Sequence, residues 1–504
     1  MSVHVRQGPP KVTVWTGATV ESQIVLDQDV VAMDVQGSVD GLYQWTLTLL
    51  PRASTNRQTP GDIRRVSTLY KQLRANQVVS LGFEVRGGIG LGLINSVRRT
   101  ATHGGPAAGV GLVIAGMGIG KVLMRDVVIR ATLNIHDYPV FREKVEAALG
   151  ATNPVIFDVA GVWGPESRDG VPTFLAQSVA DVVKWLLETA PSMRLPLLAA
   201  ATGGEGRPSD YFDTSKSITT WNDGRVFSET LSDYQGSLWQ FIRGILDVDF
   251  YECWVDTMPP PDGSDFPTPH LVIRPKPFDE PEHEFAPVTE ETGLTWSDLR
   301  TFVERLPYHD IDLSEVVQES LGVGDQDAYA YYGVTSQHDL IANSEAQSRG
   351  LFYPLIDTYT AKKFGMSKYD ARMTLVGGDV AKMAEGQEDY GAEVSSEVFE
   401  ARNRLFNWYR LNPYYESGSI TVVGRDFYRP GDPVRLGWVD LQYGDEPGAT
   451  YYCPAVRWSW SHGGHYLCTL TLTRGHNAAM VAALKAEILA DAPTINPDHF
   501  VVAG

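Results

Sequence analysis

Hydrophobic and polar residues alternate over short stretches near both ends of the chain. A period of two residues, with β-branched and aromatic side chains, is typical of strands. Turn-forming Gly and Asp residues separate these stretches. The pattern predicts strands over Lys11–Trp15, Val30–Val35, Tyr43–Leu49, Val78–Arg86, Val122–Ile135, Ser419–Val423, Pro433–Leu441, Thr450–Trp460 and Tyr466–Leu472. The sequence therefore predicts strand-rich regions at both ends of the chain.

The middle of the chain mixes helical periodicity with short strands. Apolar residues three and four positions apart predict amphipathic helices. The predicted helices are Gly61–Leu73, Asp137–Leu149, Thr173–Thr189, Leu238–Leu246, Thr295–Arg305, Asp357–Lys363 and Val394–Trp408. The predicted strands among them are Phe250–Val255, His270–Arg274, Ile311–Ser320 and Ala328–Thr335. Together these elements favour an α+β, β-rich fold class.

With 504 residues, the chain exceeds the size of one hydrophobic core, so several domains are expected. An acidic stretch with prolines and without Lys or Arg, Phe278–Glu291, marks a linker or inter-domain loop. The predicted divisions are a first β-barrel (1–90 with 121–170), a Gly-rich insertion (91–120), a helical and loop insert (171–225), an α+β domain (226–290), a second mixed domain with helices (291–410), a C-terminal β domain (411–480) and a C-terminal tail (481–504).

One segment, Pro106–Gly120, contains no charged residue. It is rich in glycine and shorter than the roughly 20 apolar residues that a membrane-spanning helix needs. We expect a buried or oligomer-interface insertion there, with transient membrane contact as the alternative. The polar stretch Met1–Lys11 lacks the apolar core of a secretory signal peptide, so assembly in a cytoplasm is expected.

Charge and cysteine content argue against some classes of function, namely nucleic-acid binding and a disulfide-stabilised fold. The chain carries 62 acidic and 42 basic side chains, a net charge of −20. Nucleic-acid binding needs Lys and Arg to replace phosphate counterions, so this chain is a poor candidate for it. The acidity would suit a surface past which DNA slides, or would serve solubility alone.

The three cysteines (Cys253, Cys453 and Cys468) are too scattered for a disulfide framework, and reduced buried thiols are expected.

The segment Gly116–Lys121 (GMGIGK) is similar to a nucleotide-binding loop but fails its requirements. A phosphate-binding loop needs glycine where Ala115 stands and Ser or Thr where Val122 stands. The third glycine of a dinucleotide-binding motif would fall on Lys121. The sequence also contains no nucleophile elbow, zinc-protease motif or redox cysteine pair. We therefore predict no catalytic residues, no cofactor and no enzymatic activity.

Candidate metal ligands are equally incomplete. His462 and His465 flank a double glycine, and two cysteines lie near them in sequence. A zinc site needs four such ligands converging on one point, so a turn with solvent-facing histidines is the preferred interpretation. Asp325 and Asp327 lack the remaining ligands of a calcium loop. No metal site is predicted.

The most specific pattern lies near the C-terminus. The segment Tyr428–Leu436 (YRPGDPVRL) places an Arg-Pro-Gly-Asp turn before a strand. Tyr451–Trp460 (YYCPAVRWSW) then leads to the Gly-Gly turn, and Tyr466–Gly475 (YLCTLTLTRG) returns from it. Two alternating strands around a double glycine predict a β-hairpin with large aromatic residues on one arm.

These segments, in this order, resemble the C-terminal module of the baseplate hub proteins of contractile phage tails, including the late control protein D family. Three upstream segments are similar to the same hubs: Leu238–Phe278, Ile311–Val334 and Leu351–Arg372. The resemblance covers residues 230–475 and is weaker over 1–90. Residues 87–225 depart from the hub pattern, which leaves the closure of the first barrel unspecified.

The resemblance implies two tail-tube-like β-barrels per subunit, with helical and mixed α/β insert domains. It implies a homotrimeric ring that adapts the sixfold tail tube to the threefold central spike and lines the DNA channel. The implied partners are the tail tube protein, the central spike protein, other baseplate proteins and, as a further candidate, the tape measure protein. DNA would pass through the lumen without specific binding. The implied location is the virion, in the tail baseplate.

Three alternatives stay open at this point. The hub of a non-contractile tail would use much the same barrels, and a phage-derived injection particle could contain the same kind of hub. A hub-borne cell-wall hydrolase belongs to a different class. Because few residues follow Gly475, we expect no room for such a hydrolase domain.

Overall fold

The computed structural model describes residues 8–130, 233–258, 268–276, 309–336, 355–377, 401–491 and 500–502, with short gaps, and a few residues between 167 and 227. In these residues, one sheet of 13 strands dominates and few helices occur. The β-rich α+β class predicted from the sequence is therefore confirmed. The two barrels and the division into domains stay predictions.

The N-terminal strands follow the predicted alternation of buried and exposed side chains. They are β1 (Lys11–Trp15), β2 (Gln23–Val25), β3 (Val30–Ser38), β4 (Gln44–Leu49), β5 (Val78–Gly82), β6 (Gly90–Thr102) and β7 (Gly109–Gly118). Along β4, for example, Trp45, Leu47 and Leu49 are buried while the intervening polar residues are more exposed. Their order in the sheet is β3-β4-β7-β6-β5-β1-β2.

Shorter strands occupy the described parts of the middle. They are β8 (Asp126–Arg130), β9 (Ser167–Arg168), β10 (Val171–Pro172), β11 (Arg225–Phe227), β12 (Asp233–Ser237), β13 (Tyr251–Met258) and β14 (Thr268–Pro275). β8 pairs with β12, and β13 pairs with β14, both in antiparallel register. The strands predicted over Phe250–Val255 and His270–Arg274 are therefore confirmed, and they pair with each other as β13 and β14.

The remaining strands complete the large sheet and a smaller one, except for β20, which pairs with β11. They are β15 (His309–Ile311), β16 (Val316–Gly322), β17 (Tyr331–Ser336), β18 (Leu355–Asp357), β19 (Lys368–Met373), β20 (Leu375–Gly377), β21 (Glu416–Val423), β22 (Pro433–Leu436), β23 (Ala449–Ser461), β24 (Tyr466–His476) and β25 (Phe500–Val502). The large sheet continues through β16-β21-β24-β23 into β3. The smaller sheet has the order β19-β17-β18-β25.

The described helices are α1 (Pro60–Gln72), α2 (Leu238–Ile245), α3 (Thr358–Phe364), α4 (401–409) and α5 (Ala478–Asp491). α1 begins with a capping box in which Thr59 and Asp62 each accept a hydrogen bond from the other's backbone N–H. Short 3-10 helices lie at Ile119–Met124, Leu313–Glu315 and Asn412–Tyr414. No described helix is long and apolar enough to cross a membrane.

The Gly-rich segment 91–120, predicted as an insertion, lies within the large sheet. It forms most of β6 and β7, which pair with each other and with β5 and β4 inside the large sheet. Its glycines make room for one indole: a Cβ at Gly92 or Gly116 would overlap the side chain of Trp45. The Trp45 Nε1–H donates to the Met117 carbonyl at 2.9 Å. Glycine here allows close packing within a sheet.

Six other predictions are corrected or lie wholly or mostly outside the described residues. The predicted tail 481–504 contains most of α5, whose Met480, Leu484 and Ile488 are buried at helical spacing. The strand predicted over Val122–Ile135 is replaced by a 3-10 helix and β8, and that over Ile311–Ser320 is interrupted at Leu313–Glu315. The helices predicted over 137–149 and 295–305, and most of 173–189, lie outside the described residues.

We expect Gly116→Ala to lower the free energy of unfolding by about 1–3 kcal/mol, because the added Cβ would displace the Trp45 indole and the Leu93 carbonyl. The matched control is Gly244→Ala in α2, where no atom lies within 4 Å of an added Cβ. In the control, alanine should leave stability unchanged or raise it by about 0.5–1 kcal/mol. Urea unfolding followed by tryptophan fluorescence measures both. Equal stability of the two variants would contradict the packing role of Gly116.

Candidate functional site

The N-terminal and C-terminal strand-rich regions meet along β3 and β23. Seven residue pairs join these strands in antiparallel register. Trp458 lies opposite Val35 and is completely buried, and its ring centroid lies 5.8 Å from that of Tyr43. One hydrophobic core continues across both regions. The two ends of the chain therefore share a single sheet, which the sequence did not predict.

The predicted C-terminal hairpin is confirmed as β23–β24. Trp460 lies opposite Tyr466, and Gly463 in the turn between them has φ +80°, a conformation that favours glycine. Phe83 from the N-terminal region stacks on Tyr466 with ring centroids 3.7 Å apart, and lies 6.4 Å from Trp460. An aromatic cluster from both regions therefore supports the junction next to the turn.

Arg429, in the Arg-Pro-Gly-Asp turn, is a buried cation at this junction. Its guanidinium donates to the backbone carbonyls of Gly88 (2.6 Å), Tyr428 (3.0 Å) and Asp426. The Asp256 carboxylate lies 3.4 Å from its Nε. Burial lowers the pKa of Arg429 and the Asp256 charge raises it, and the net direction is upward. The charge is therefore retained inside the protein.

The Asp256 carboxylate is shared with the N-terminal region. The Tyr43 hydroxyl donates to it at 3.2 Å. Burial, and secondly the Asp256 charge, raise the pKa of Tyr43 well above its ordinary value, so the hydroxyl keeps its proton. Tyr43 precedes β4, Asp256 lies in β13 and Arg429 precedes β22. Three segments that are remote in sequence therefore meet at one ion pair.

Asp426 makes a second connection between the regions. Its Oδ2 accepts hydrogen bonds from the backbone N–H groups of Phe83 and Glu84, each at 2.8 Å. Its Oδ1 accepts from the Tyr466 hydroxyl at 2.8 Å. Hydrogen bonds to an ionised carboxylate are stronger than those between neutral groups. Asp426 therefore holds the segment after β5 against the start of β24.

Asp432 extends the junction to the middle of the chain. Its Oδ2 lies 2.7 Å from Nε2 of His309. His309 begins β15, which runs parallel to β22. Between the two charged residues of the turn, Gly431 has φ +88°, which favours glycine. The turn thus contacts the N-terminal region through Arg429 and the middle through Asp432.

The Arg474-Gly475 end of the hairpin forms a similar buried contact. The Arg474 guanidinium carbon lies 3.6 Å from the ring centroid of Trp408, at the end of α4. The Nη1 group of Arg474 also donates to the Trp408 carbonyl and to Oδ1 of Asn412, the latter at 3.0 Å. A Cβ at Gly475 would overlap the ring of Tyr451. Both residues of this pair are therefore fixed by packing.

The residues tested for nucleotide and metal binding take structural positions. Lys121 donates to Oδ1 of Asn76 at 2.9 Å and to the Ile94 carbonyl at 3.2 Å. His462 and His465 are exposed at the hairpin turn. Among the described residues, no three His, Cys, Asp or Glu side chains are grouped so that they could hold a metal ion.

The three cysteines are free and buried. Burial raises the pKa of Cys468 to about 12 and raises that of Cys253 and Cys453 further. A buried, protonated thiol is a poor nucleophile and a poor metal ligand. These thiols therefore serve packing, as the sequence predicted.

Sequence reasoning identified the turn but not the residues that it contacts. Tyr43, Gly88, Asp256 and His309 carry no local signal, because their roles come from contacts with residues far away in the chain. The one available signal was an arginine beside Pro and Gly, directly before a predicted strand. That signal predicts a turn, whereas the partners require the tertiary structure.

We expect Arg429→Met to lower the free energy of unfolding by about 3–5 kcal/mol, because it leaves the Asp256 carboxylate buried without its cation. Arg429→Lys should lose less, since it keeps the charge but not the planar set of donors. The control is Arg457→Met, whose pair with Asp34 is largely exposed and should contribute about 0–1 kcal/mol. Urea unfolding measures all three. Losses of similar size for Arg429→Met and Arg457→Met would contradict the assigned role.

No family model matches the chain, and no curated protein matches it in sequence. Among solved structures, it is similar to the tail protein from Neisseria meningitidis MC58, at 12% identity over 94% of this chain and 98% of that chain, with a TM-score of 0.45. It is also similar to the 43 kDa tail protein of prophage MuSo2 from Shewanella oneidensis, at 9% identity over 93% and 99%, with a TM-score of 0.45. A prophage tail protein from Listeria monocytogenes EGD-e is similar at 11% identity over 95% and 99%, with a TM-score of 0.38. Such low TM-scores do not bear on function, which is inferred below from the chain's own residues.

Proposed function

We propose that this chain is the structural hub of a phage-type tail baseplate and has no catalytic role. In this proposal it forms a homotrimeric ring between the sixfold tail tube and the threefold central spike. DNA passes through the ring without specific binding. The tail tube protein, the spike protein and other baseplate proteins are its partners.

The observation that carries the proposal is the position of the hub-like residues. Arg429, Asp432 and Arg474 belong to the segments that resemble hub proteins, and each one makes a contact that holds the fold together. Arg429 and Asp432 join remote segments at the junction, and Arg474 fixes the end of the hairpin. Motif residues that fix the architecture, with no reactive group among them, support a structural role.

The shared sheet supports the proposed symmetry matching. Strand-rich regions at both ends of one chain are fixed relative to each other by β3–β23 pairing and by the Arg429 contacts. Three copies with two such regions each would present six similar units around an axis. A closed ring of this kind could face a sixfold tube on one side and a threefold spike on the other.

The charge of the chain supports the proposed relation to DNA. A net charge of −20 repels phosphate groups at long range and disfavours their capture. At the junction, Arg429 and Arg474 are buried, and the more exposed Arg457 and Arg425 are each paired with carboxylates of this chain. Exposed basic residues elsewhere are too few to offset the acidic excess.

We expect the purified chain to associate into particles of three times its 55.5 kDa mass, seen as rings with threefold symmetry. Mass photometry over a concentration series, followed by electron microscopy of negatively stained particles, measures both properties. Immunogold labelling of the parent particle should place the chain at one end of the tail. A folded chain that stays monomeric at all concentrations and joins no ring would contradict the proposal.

A further inference from the structure

The large sheet ends in an exposed edge at β16. Within the described part of the chain, β16 pairs with β21 and with no second strand. Nearly all side chains over residues 312–327 are exposed or half-exposed. This segment, called the β16 edge below, contains five acidic residues and no Lys or Arg. They are Asp312, Glu315, Glu319, Asp325 and Asp327.

The β16 edge is also apolar. Leu313 is 58% exposed, Val317 is 59% exposed and Val323 is 40% exposed. Large exposed apolar side chains along one acidic edge are typical of an interaction site. The acidic residues determine the sign of the partner, which should be basic with apolar side chains of its own.

The β16 edge is not suited to adding another strand. The β16–β21 register shifts between Val316 and Gln318, as in a β-bulge. Bulges and charged side chains at an edge disfavour continuation of a sheet by a further strand. A partner would therefore bind through side chains, and an amphipathic helix supplies these without needing backbone pairing.

The same chain carries a complementary surface on α1. This helix packs against β6 and β7, which lie several strands away from β16 in the large sheet. Arg64 and Lys71 lie seven residues apart and so on one face of the helix, beside Ile63 (39% exposed) and Tyr70 (45% exposed). Arg74 follows the helix and is exposed. Within the described residues, neither Arg64 nor Lys71 has an ion pair. These five residues are called the α1 face below.

The two surfaces also match in length. The 13 residues of α1 span about 20 Å at 1.5 Å per residue. The seven residues of β16 span about 23 Å at 3.3 Å per residue. Charge and apolar content therefore agree between the α1 face and the β16 edge, and the strand within that edge is about as long as α1.

We propose that the β16 edge of one copy binds the α1 face of a second copy of this chain. The inference rests on the proposed function, because it specifies which surfaces close the ring. The two surfaces are different, so the contact is heterologous. A heterologous contact repeated from copy to copy closes into a ring when the rotation between copies allows it.

The test uses two charge-reversed chains, Glu319→Lys/Asp325→Lys and Arg64→Glu/Lys71→Glu. Each should weaken association about tenfold or more, because attraction becomes repulsion at two positions of the interface. A chain with all four substitutions should recover much of the lost association, since the four reversed positions again carry opposite charges on the two surfaces. The matched control is Lys362→Glu/Arg372→Glu, which reverses two exposed basic residues outside both surfaces and should leave association unchanged. Mass photometry at constant ionic strength measures association, and circular dichroism checks that each variant is folded.

Rings that form equally well in both double variants would assign the β16 edge to a different partner and overturn this inference, while leaving the hub proposal intact. Failure of the fourfold variant to recover association would overturn it as well. If the wild type forms no ring, the hub proposal fails together with the inference. Weakening in each double variant, with recovery in the fourfold variant, would support the pairing of these two surfaces.

Discussion

A buried positive charge, that of Arg429, is the constraint on which the arrangement of this chain depends. An ion in the interior is strongly destabilising unless its charge and its donors are matched. Here the match requires the Gly88 carbonyl, the Asp256 carboxylate and the turn that carries Arg429 itself to be in place together. Folding is therefore coupled between three parts of the chain: the N-terminal region, β13 and the C-terminal turn.

The pairing of β3 with β23 depends on that coupling. Val35 and Trp458 lie opposite each other although most of the chain separates them in sequence. Contacts between such distant residues form slowly, because a long loop must close first. Before β23 pairs with β3 during folding, one edge of β3 is unpaired and can form hydrogen bonds with incorrect strands. Once both strands are joined, the two ends of the chain share one hydrogen-bonded sheet.

The sequence predicted local structure better than it predicted contacts. Alternation located β1, β4 and β23, and the double glycine located the hairpin turn, because both signals act within a few residues. The glycines of residues 91–120 predicted an insertion, whereas Gly116 provides the space for the side chain of Trp45 on another strand. α5 was missed although Met480, Leu484 and Ile488 follow helical spacing. Partners such as Asp256 could not be predicted, because a single sequence contains no information on which remote segments meet.

If both ends of the chain form one cooperative sheet, β3 and β23 must open together. Native-state hydrogen exchange of the backbone amides in these two strands measures this. The protected amides of both strands should exchange with the same free energy of opening, close to that of global unfolding. Amides of β3 that exchange orders of magnitude faster than those of β23 and β24 would show that the two regions open independently, and would contradict a single cooperative sheet.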